Sequence, residues 1–183
     1  PVLKVVYDNE SPSEGGLYDR SRTATVTIQE RNFDPLDVEF LITSAEGGMP
    51  QIGEWESTGE GDARFHECRV LFAEDGEYTF SVSFTDLAGN RTEYGKTDAF
   101  VIDQTPPVLS VNYEDGTDSG RLYYGQSRTA VIDLQEHYFD PSRIQVAVEA
   151  SKGVPAPSVS GWSRNGDHHR ASVVFASDGA YSF

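Results

Sequence analysis

The chain has 183 residues, a length that accommodates one or two globular domains. Its 14 Lys and Arg residues are outweighed by 30 Asp and Glu residues, and the resulting net charge of −16 argues against nucleic acid or an anionic membrane surface as a partner. With 37% hydrophobic residues but no apolar run near the roughly 18 residues that span a bilayer, the sequence predicts a soluble, folded protein.

Alternation of apolar and polar residues predicts strands along the first hundred residues. In the segment 23–28, for example, Ala24, Val26 and Ile28 share one face, and threonines occupy the other. The predicted strands, in chain order, are 2–6, 23–28, 38–42, 68–72, 78–84 and 100–102. About seven short strands in roughly 100 residues indicate an all-β, immunoglobulin-like antiparallel β-sandwich.

The sequence then repeats itself. Residues 1–7 (PVLKVVY) return as 107–113 (PVLSVNY), shifted by 106 positions, and 72–80 (FAEDGEYTF) return as 175–183 (FASDGAYSF), shifted by 103. The repeat predicts two tandem domains, residues 1–105 and 106–183. Since residues 81–106 have no counterpart, we expect the second domain to lack the end of the strand equivalent to 78–84 and all of its last strand, and the chain to be a fragment of a longer protein.

The start of the strand 78–84 carries a further signal in both copies. Tyr78 follows Asp75-Gly76, and Tyr181 follows Asp178-Gly179. A tyrosine at this corner of an immunoglobulin-like sandwich bonds back to the upstream main chain. Phe80 and Phe183 stand where an antibody domain has its second disulfide cysteine, and this chain has a single cysteine, so apolar packing is expected in place of a bridge.

The motifs DGEYTF (75–80), TDLAGN (85–90) and IDQTPP (102–107) resemble the tandem bacterial Ig-like domains of secreted and cell-surface proteins, particularly those of Gram-positive bacteria. The resemblance covers the whole chain, although the closing motif is present once. It implies an extracellular, cell-surface or cell-wall-attached location. It also implies a role as a stalk or adhesin repeat, with neighbouring repeats of the same parent chain as partners.

The segment between the copies contains Pro106-Pro107, which predicts a short linker of restricted angle. Carboxylates near this junction are candidate ligands for Ca²⁺, which takes several oxygen ligands. The candidates are Asp8, Asp75, Asp103 and Asp140. A solvated acidic surface is the alternative that we favour, because the chain has no Asp-x-Asp-x-Asp-Gly loop. No cofactor is otherwise expected.

Several aromatic residues are candidates for contacting a sugar or a protein ligand, because an exposed ring can stack on either. Tyr123, Tyr124 and Tyr138 are interpreted as less repeated than the tryptophans and hence as the better candidates. Trp162 is also a candidate. It is the counterpart of Trp55 in the first copy, however, and a repeated tryptophan is more simply explained as part of a core.

No constellation of residues predicts an enzyme. Cys68 and His66 lie on the same face of one strand, so a catalytic pair is conceivable, but the residue aligned with Cys68 in the second copy is Ala171. His168 and His169 point to opposite faces of a strand and are poorly placed to share zinc. There is no phosphate-binding loop or nucleophile elbow.

Three functional hypotheses follow from the sequence. The favoured one is a non-enzymatic spacer built from tandem modules. The alternative is an adhesion or carbohydrate-binding module that contacts glycan or a host matrix protein, and an enzyme comes third. The shortened second domain is also expected to expose a groove and unpaired backbone, which predicts self-association by strand exchange.

Overall fold

The computed structural model describes residues 1–13, 15–114 and 123–183. The chain divides into two compact units, Pro1–Thr105 (unit 1) and Pro106–Phe183 (unit 2). In the described residues both units are built from antiparallel β-strands with a few 3-10 turns, so the predicted all-β class is confirmed. The sheets are compatible with a β-sandwich.

Unit 1 contains nine strands in its described part. They are β1 (Val2–Tyr7), β2 (Arg22–Gln29), β3 (Val38–Ala45), β4 (Gln51–Ile52), β5 (Glu56–Thr58), β6 (Phe65–Phe72), β7 (Gly76–Thr85), β8 (Arg91–Glu93) and β9 (Asp98–Ile102). One sheet has the order β1-β2-β6-β4, with β5 also paired to β6. The other has the order β3-β7-β8, with β9 also paired to β7.

The core of unit 1 follows from the alternation along these strands. In β2 every second residue is buried, and in β7 burial extends from Tyr78 to Phe84. Phe72, Phe80 and Phe84 are fully buried, and Phe72 meets Phe80 edge-on at 5.8 Å between ring centroids. Phe80 stands where an antibody domain has its second disulfide cysteine, and aromatic packing is found there in place of a bridge.

Unit 2 has six strands in its described part. They are β10 (Val108–Tyr113), β11 (Arg128–Gln135), β12 (Glu149–Ala150), β13 (Ser163–Asn165), β14 (His168–Phe175) and β15 (Tyr181–Ser182). The order of the larger sheet is β10-β11-β14-β13, and β12 pairs with β15 in a sheet of two short strands. The buried cluster is small, with Ala130, Ile132 and Val173 at its centre.

The tyrosine corner predicted from the repeat is confirmed in both units. The Tyr78 hydroxyl donates a hydrogen bond to the carbonyl oxygen of Glu74 at 2.9 Å, and the Tyr181 hydroxyl donates to that of Ser177 at 2.8 Å. Gly76, at φ 153°, lies where an added Cβ would come within 2.8 Å of the Gly47 main chain, which explains the glycine after Asp75. These bonds fix the entry to β7 and β15.

Candidate functional site

An arginine surrounded by aromatic rings lies at the start of β2 in unit 1. The guanidinium carbon of Arg22 is 3.6 Å from the ring centroid of Tyr7 and 4.3 Å from that of Tyr18. The Nε–H of Arg22 donates to the carbonyl oxygen of Asn9 at 2.8 Å, and the side chain is almost fully buried. Cation–π contacts of this kind gain strength when they are desolvated.

Phe100 on β9 completes this cluster. Its ring lies 4.6 Å from the Arg22 guanidinium carbon and packs edge-on against Tyr7 and Tyr18, with both pairs of centroids 6.0 Å apart. It also contacts Phe72 at 5.0 Å and Tyr78 at 5.7 Å. Phe100 and the fully buried Ile102 therefore anchor β9 to the rest of unit 1.

Part of this arrangement recurs in unit 2. The guanidinium carbon of Arg128 lies 3.5 Å from the Tyr113 centroid and 4.1 Å from the Tyr124 centroid. Beside them is a cavity of about 850 Å³, which we call the unit 2 groove. Its walls include Tyr113, Tyr124, Arg128, Phe175, Tyr181 and Phe183.

The arginine cluster was missed by the sequence interpretation, although its signal is present. Tyr18 and Tyr124 are separated by 106 positions, the same shift that relates Arg22 to Arg128. The premise that Tyr124 is less repeated than the tryptophans was therefore wrong: it is the counterpart of Tyr18 and packs against Arg128.

The other aromatic candidates lie in different settings. Tyr123 is 90% exposed, so its ring is accessible to a ligand. Tyr138 is half-buried, and its ring meets that of His137 edge-on at 4.5 Å. Trp162 packs against the small core of unit 2 and against Phe139 at 5.2 Å, and Trp55 packs in the same way against Phe33 at 4.9 Å. The tryptophans thus serve primarily as packing groups.

A buried histidine bridges two segments in each unit. His66 stacks on Phe33 at 4.0 Å, and its Nε2 lies 2.9 Å from the carbonyl oxygen of Glu30. His169 stacks on Phe139 at 3.8 Å and reaches the carbonyl oxygen of Glu136 at 2.8 Å. Because a carbonyl only accepts, Nε2 carries the proton in both residues.

The environments of His66 and Cys68 do not favour catalysis. The Nδ1 of His66 is 2.8 Å from the hydroxyl of Ser57, so both ring nitrogens are engaged by groups other than the thiol. Cys68 is buried and donates to the carbonyl oxygen of Gly53 at 3.2 Å. Burial raises the pKa of the Cys68 thiol, which keeps it protonated and weakly nucleophilic.

Three of the four carboxylates proposed for Ca²⁺, those of Asp8, Asp75 and Asp140, accept hydrogen bonds within their own unit. Asp8 accepts from the Thr23 main-chain N–H at 2.8 Å, and Asp140 accepts from that of Ser142 at 2.9 Å, where it caps the 3-10 turn Pro141–Arg143. Asp103 follows β9, and its N–H donates to the carbonyl oxygen of Tyr18. Within the described ranges, no group of three or more His, Cys, Asp and Glu side chains is arranged to hold a metal ion.

Asp75 holds the segment that leaves unit 1. One carboxylate oxygen accepts from the main-chain N–H of Gln104 at 2.8 Å, and the other accepts from the Thr105 hydroxyl at 2.6 Å. The side-chain amide of Gln104 also donates to the Ala73 carbonyl oxygen at 2.9 Å. We call these contacts the Asp75 clasp. Partial burial acts to raise the pKa of Asp75, but the hydrogen bonds from Thr105 and Gln104 outweigh it, so the pKa is lowered.

Across the part of the chain that the structure describes, no helix is long and apolar enough to cross a membrane. No protein-family model matches the chain, and no curated protein matches it.

Proposed function

We propose that the chain is a pair of tandem Ig-like modules that acts as a non-enzymatic spacer in a bacterial cell-surface or secreted protein. Three features support the modules: the strand orders of the two sheets in unit 1, the tyrosine corner in both units, and the arginine cluster at repeated positions. The resemblance of the DGEYTF and IDQTPP motifs to bacterial Ig-like repeats supports the location.

The Asp75 clasp is the observation that carries the spacer role. It immobilises Gln104 and Thr105 on the corner that precedes β7, immediately before Pro106 and Pro107. Proline fixes φ of each residue and restricts the residue before it. These contacts and the two prolines restrict the backbone of the segment that leaves unit 1, which supports the proposed spacer role.

We expect Asp75→Ala to loosen the motional coupling of the two units. The measurement is ¹⁵N relaxation, which gives a rotational correlation time for each unit. In the unmodified chain both units are expected to share one long correlation time, and in the variant the two values should become shorter and differ. Asp178→Ala is the matched control, because it removes the same charge from the equivalent corner of unit 2. Independent tumbling of the units in the unmodified chain would argue against a spacer.

The pH dependence of the clasp follows from the lowered pKa of Asp75. A group whose folded pKa is depressed stabilises the fold above its unfolded pKa, near 3.9 for aspartate, and loses that contribution as the pH falls through the folded value. We therefore expect Asp75→Asn to weaken the coupling at neutral pH, and the difference from the unmodified chain to vanish at a pH below the folded pKa. A difference that persists there would show that the carboxylate charge is not the cause.

The alternative, a glycan- or matrix-binding module, is favoured by the 90% exposure of Tyr123. Affinity electrophoresis against a panel of polysaccharides, with matrix proteins on a parallel array, tests it. If the chain is a spacer, we expect that no polysaccharide retards its migration in the gel. Specific retardation that Tyr123→Ala abolishes, and that Trp162→Phe leaves intact, would replace the spacer with a binding function.

A further inference from the structure

We propose that β3 of unit 1 is an interface for a second copy of this chain, whose own β3 pairs with it antiparallel, with Leu41 opposite Leu41 of that copy. The proposal starts from a strand of eight residues that lies at the edge of its sheet. This inference goes beyond the spacer role, because it assigns an interaction surface and the partner that fits it.

β3 has a neighbour on one side alone among the strands that the structure describes. It pairs along its whole length with β7, from Val38 opposite Phe84 to Ala45 opposite Glu77. The strands before and after it in the sequence, β2 and β4, belong to the other sheet of unit 1. The free side of such a strand presents main-chain N–H and C=O groups with which another strand can pair.

The usual protection of a sheet edge is absent from β3. Proteins protect edges with lysine, proline, a bulge or a short strand. In the described part of unit 1, β1 contains Lys4, β4, β5 and β8 have two or three residues, and the end of β9 is bridged by Tyr18. β3 contains neither lysine nor proline and pairs with β7 residue by residue, without a bulge. It is therefore the edge most open to pairing.

The single charged side chain of β3 is directed away from its free side. Oε2 of Glu39 accepts a hydrogen bond from the Ser83 hydroxyl on β7 at 3.4 Å and lies 3.6 Å from Nη1 of Arg91 on β8. Both β7 and β8 lie on the side of β3 that is already paired. The carboxylate thus leaves the free side of the strand open to an incoming chain.

Apolar side chains remain accessible on both faces of β3. Leu41 is 64% exposed on the outer face, and Val38, Phe40 and Ile42 are only half-buried although they pack against the core. On β2, in contrast, every inward-facing residue is fully buried or nearly so. A strand added beside β3 would cover this apolar surface, and such burial favours association.

The sequence of β3 is complementary to itself when two copies run antiparallel. With Leu41 opposite Leu41 of the second copy, Phe40 lies opposite Ile42, which is a favourable pair of an aromatic and a β-branched side chain. Glu39 then lies opposite Thr43, so no like charges are opposed along the strand. Each contact occurs twice, as in any two-fold interface. A second copy therefore satisfies this edge without a further protein.

Two properties of the chain set the strength of this contact. Its net charge of −16 opposes the approach of a second copy, and a contact limited to one strand from each copy is small beside the roughly 1,600 Å² of a typical stable complex. We therefore expect a weak, reversible dimer. Salt should strengthen it, because a physiological ionic strength already screens exposed charges that are more than about 8 Å apart.

Sedimentation equilibrium of the full chain over a range of concentrations, in low and in high salt, tests the association. We expect the mass to rise from monomer towards dimer, and to do so at lower protein concentration in high salt. Leu41→Lys should weaken dimerisation at least about tenfold, because it places two like charges opposite each other. Val6→Lys is the matched control, since it makes the same change of charge at a side chain that is 57% exposed on β1.

Three results of this experiment would overturn the proposal. One is a chain that stays monomeric at the highest concentration in high salt. Another is a dimer that Leu41→Lys leaves intact, which would place the contact elsewhere, as strand exchange through unit 2 would. The third is an equal loss of dimer in Leu41→Lys and Val6→Lys.

Disulfide trapping tests the register independently of affinity. Residues directly opposite each other on antiparallel strands have Cα atoms about 4.5–5.5 Å apart, a separation that a disulfide spans. Leu41→Cys should therefore form a covalent dimer on oxidation. Ala45→Cys is the control on the same face of β3, and in this register its two copies lie about 27 Å apart. The unmodified chain, whose sole thiol Cys68 is buried, gives the background. Equal rates for the two variants would exclude the register and with it the proposed interface.

Discussion

Replacement of Phe100 by alanine is expected to lower the free energy of unfolding of unit 1 by about 3–5 kcal/mol. The ring is nearly buried and contacts four other aromatic rings and the Arg22 guanidinium. Its removal leaves a cavity that rigid aromatic neighbours cannot readily fill. The loss is measured by urea denaturation.

The two tryptophans allow the units to be followed separately. In a Trp162→Phe background, Trp55 reports unit 1 alone. Val101→Ala is the matched control, because Val101 is adjacent to Phe100 on the less buried face of the same strand, and we expect it to cost about 1 kcal/mol or less. Equal costs for the two variants would contradict the role of Phe100 as an anchor of β9.

The second large effect is expected at His169. His169→Ala should lower the free energy of unfolding of unit 2 by about 2–3 kcal/mol, since it removes a buried ring and leaves the Glu136 carbonyl oxygen without this donor. Trp162 fluorescence in a Trp55→Phe background reports the transition.

The neighbouring histidine provides a control of the same chemistry. His168 is adjacent to His169 on β14 but lies exposed on the opposite face. We expect His168→Ala to change the stability of unit 2 by no more than about 0.5 kcal/mol. If His168→Ala proved as costly as His169→Ala, the stack on Phe139 and the bond to Glu136 would not explain the effect.

Local pattern was sufficient to predict most strands. Alternation placed Ala24, Val26 and Ile28 on a buried face, and all three are fully buried. The strand of Cys68, Val70 and Phe72 was predicted on the same ground and is confirmed as β6. In unit 2, Val146 and Val148 alternate in the same way and pack against the core, yet only Glu149–Ala150 forms a strand there. Whether a segment forms a strand depends on a partner strand that pairs with it, and the sequence of the segment alone does not specify that partner.

Polar residues that are buried by tertiary contacts could not be predicted from local pattern. Arg22 follows a serine in a segment that resembles an exposed turn, and its burial depends on rings from Tyr7, Tyr18 and Phe100, which lie far apart in the sequence. His66 is buried because the main chain at Glu30 supplies an acceptor. In the sequence, the only sign of this burial is that the residues concerned recur at equivalent positions in the second copy.

The ladder between β1 and β2 has a mechanical consequence for a tethered chain. Six residue pairs join the strands, from Val2 opposite Gln29 to Tyr7 opposite Ala24. Ile102, at the close of β9, lies at the same end of unit 1 as the contact between Tyr7 and Phe100. Tension applied at Pro1 and Thr105 therefore acts along β1 and β9 and loads their hydrogen bonds in shear. Bonds loaded in this way share the force, so we expect unit 1 to resist extension and then to yield in one step.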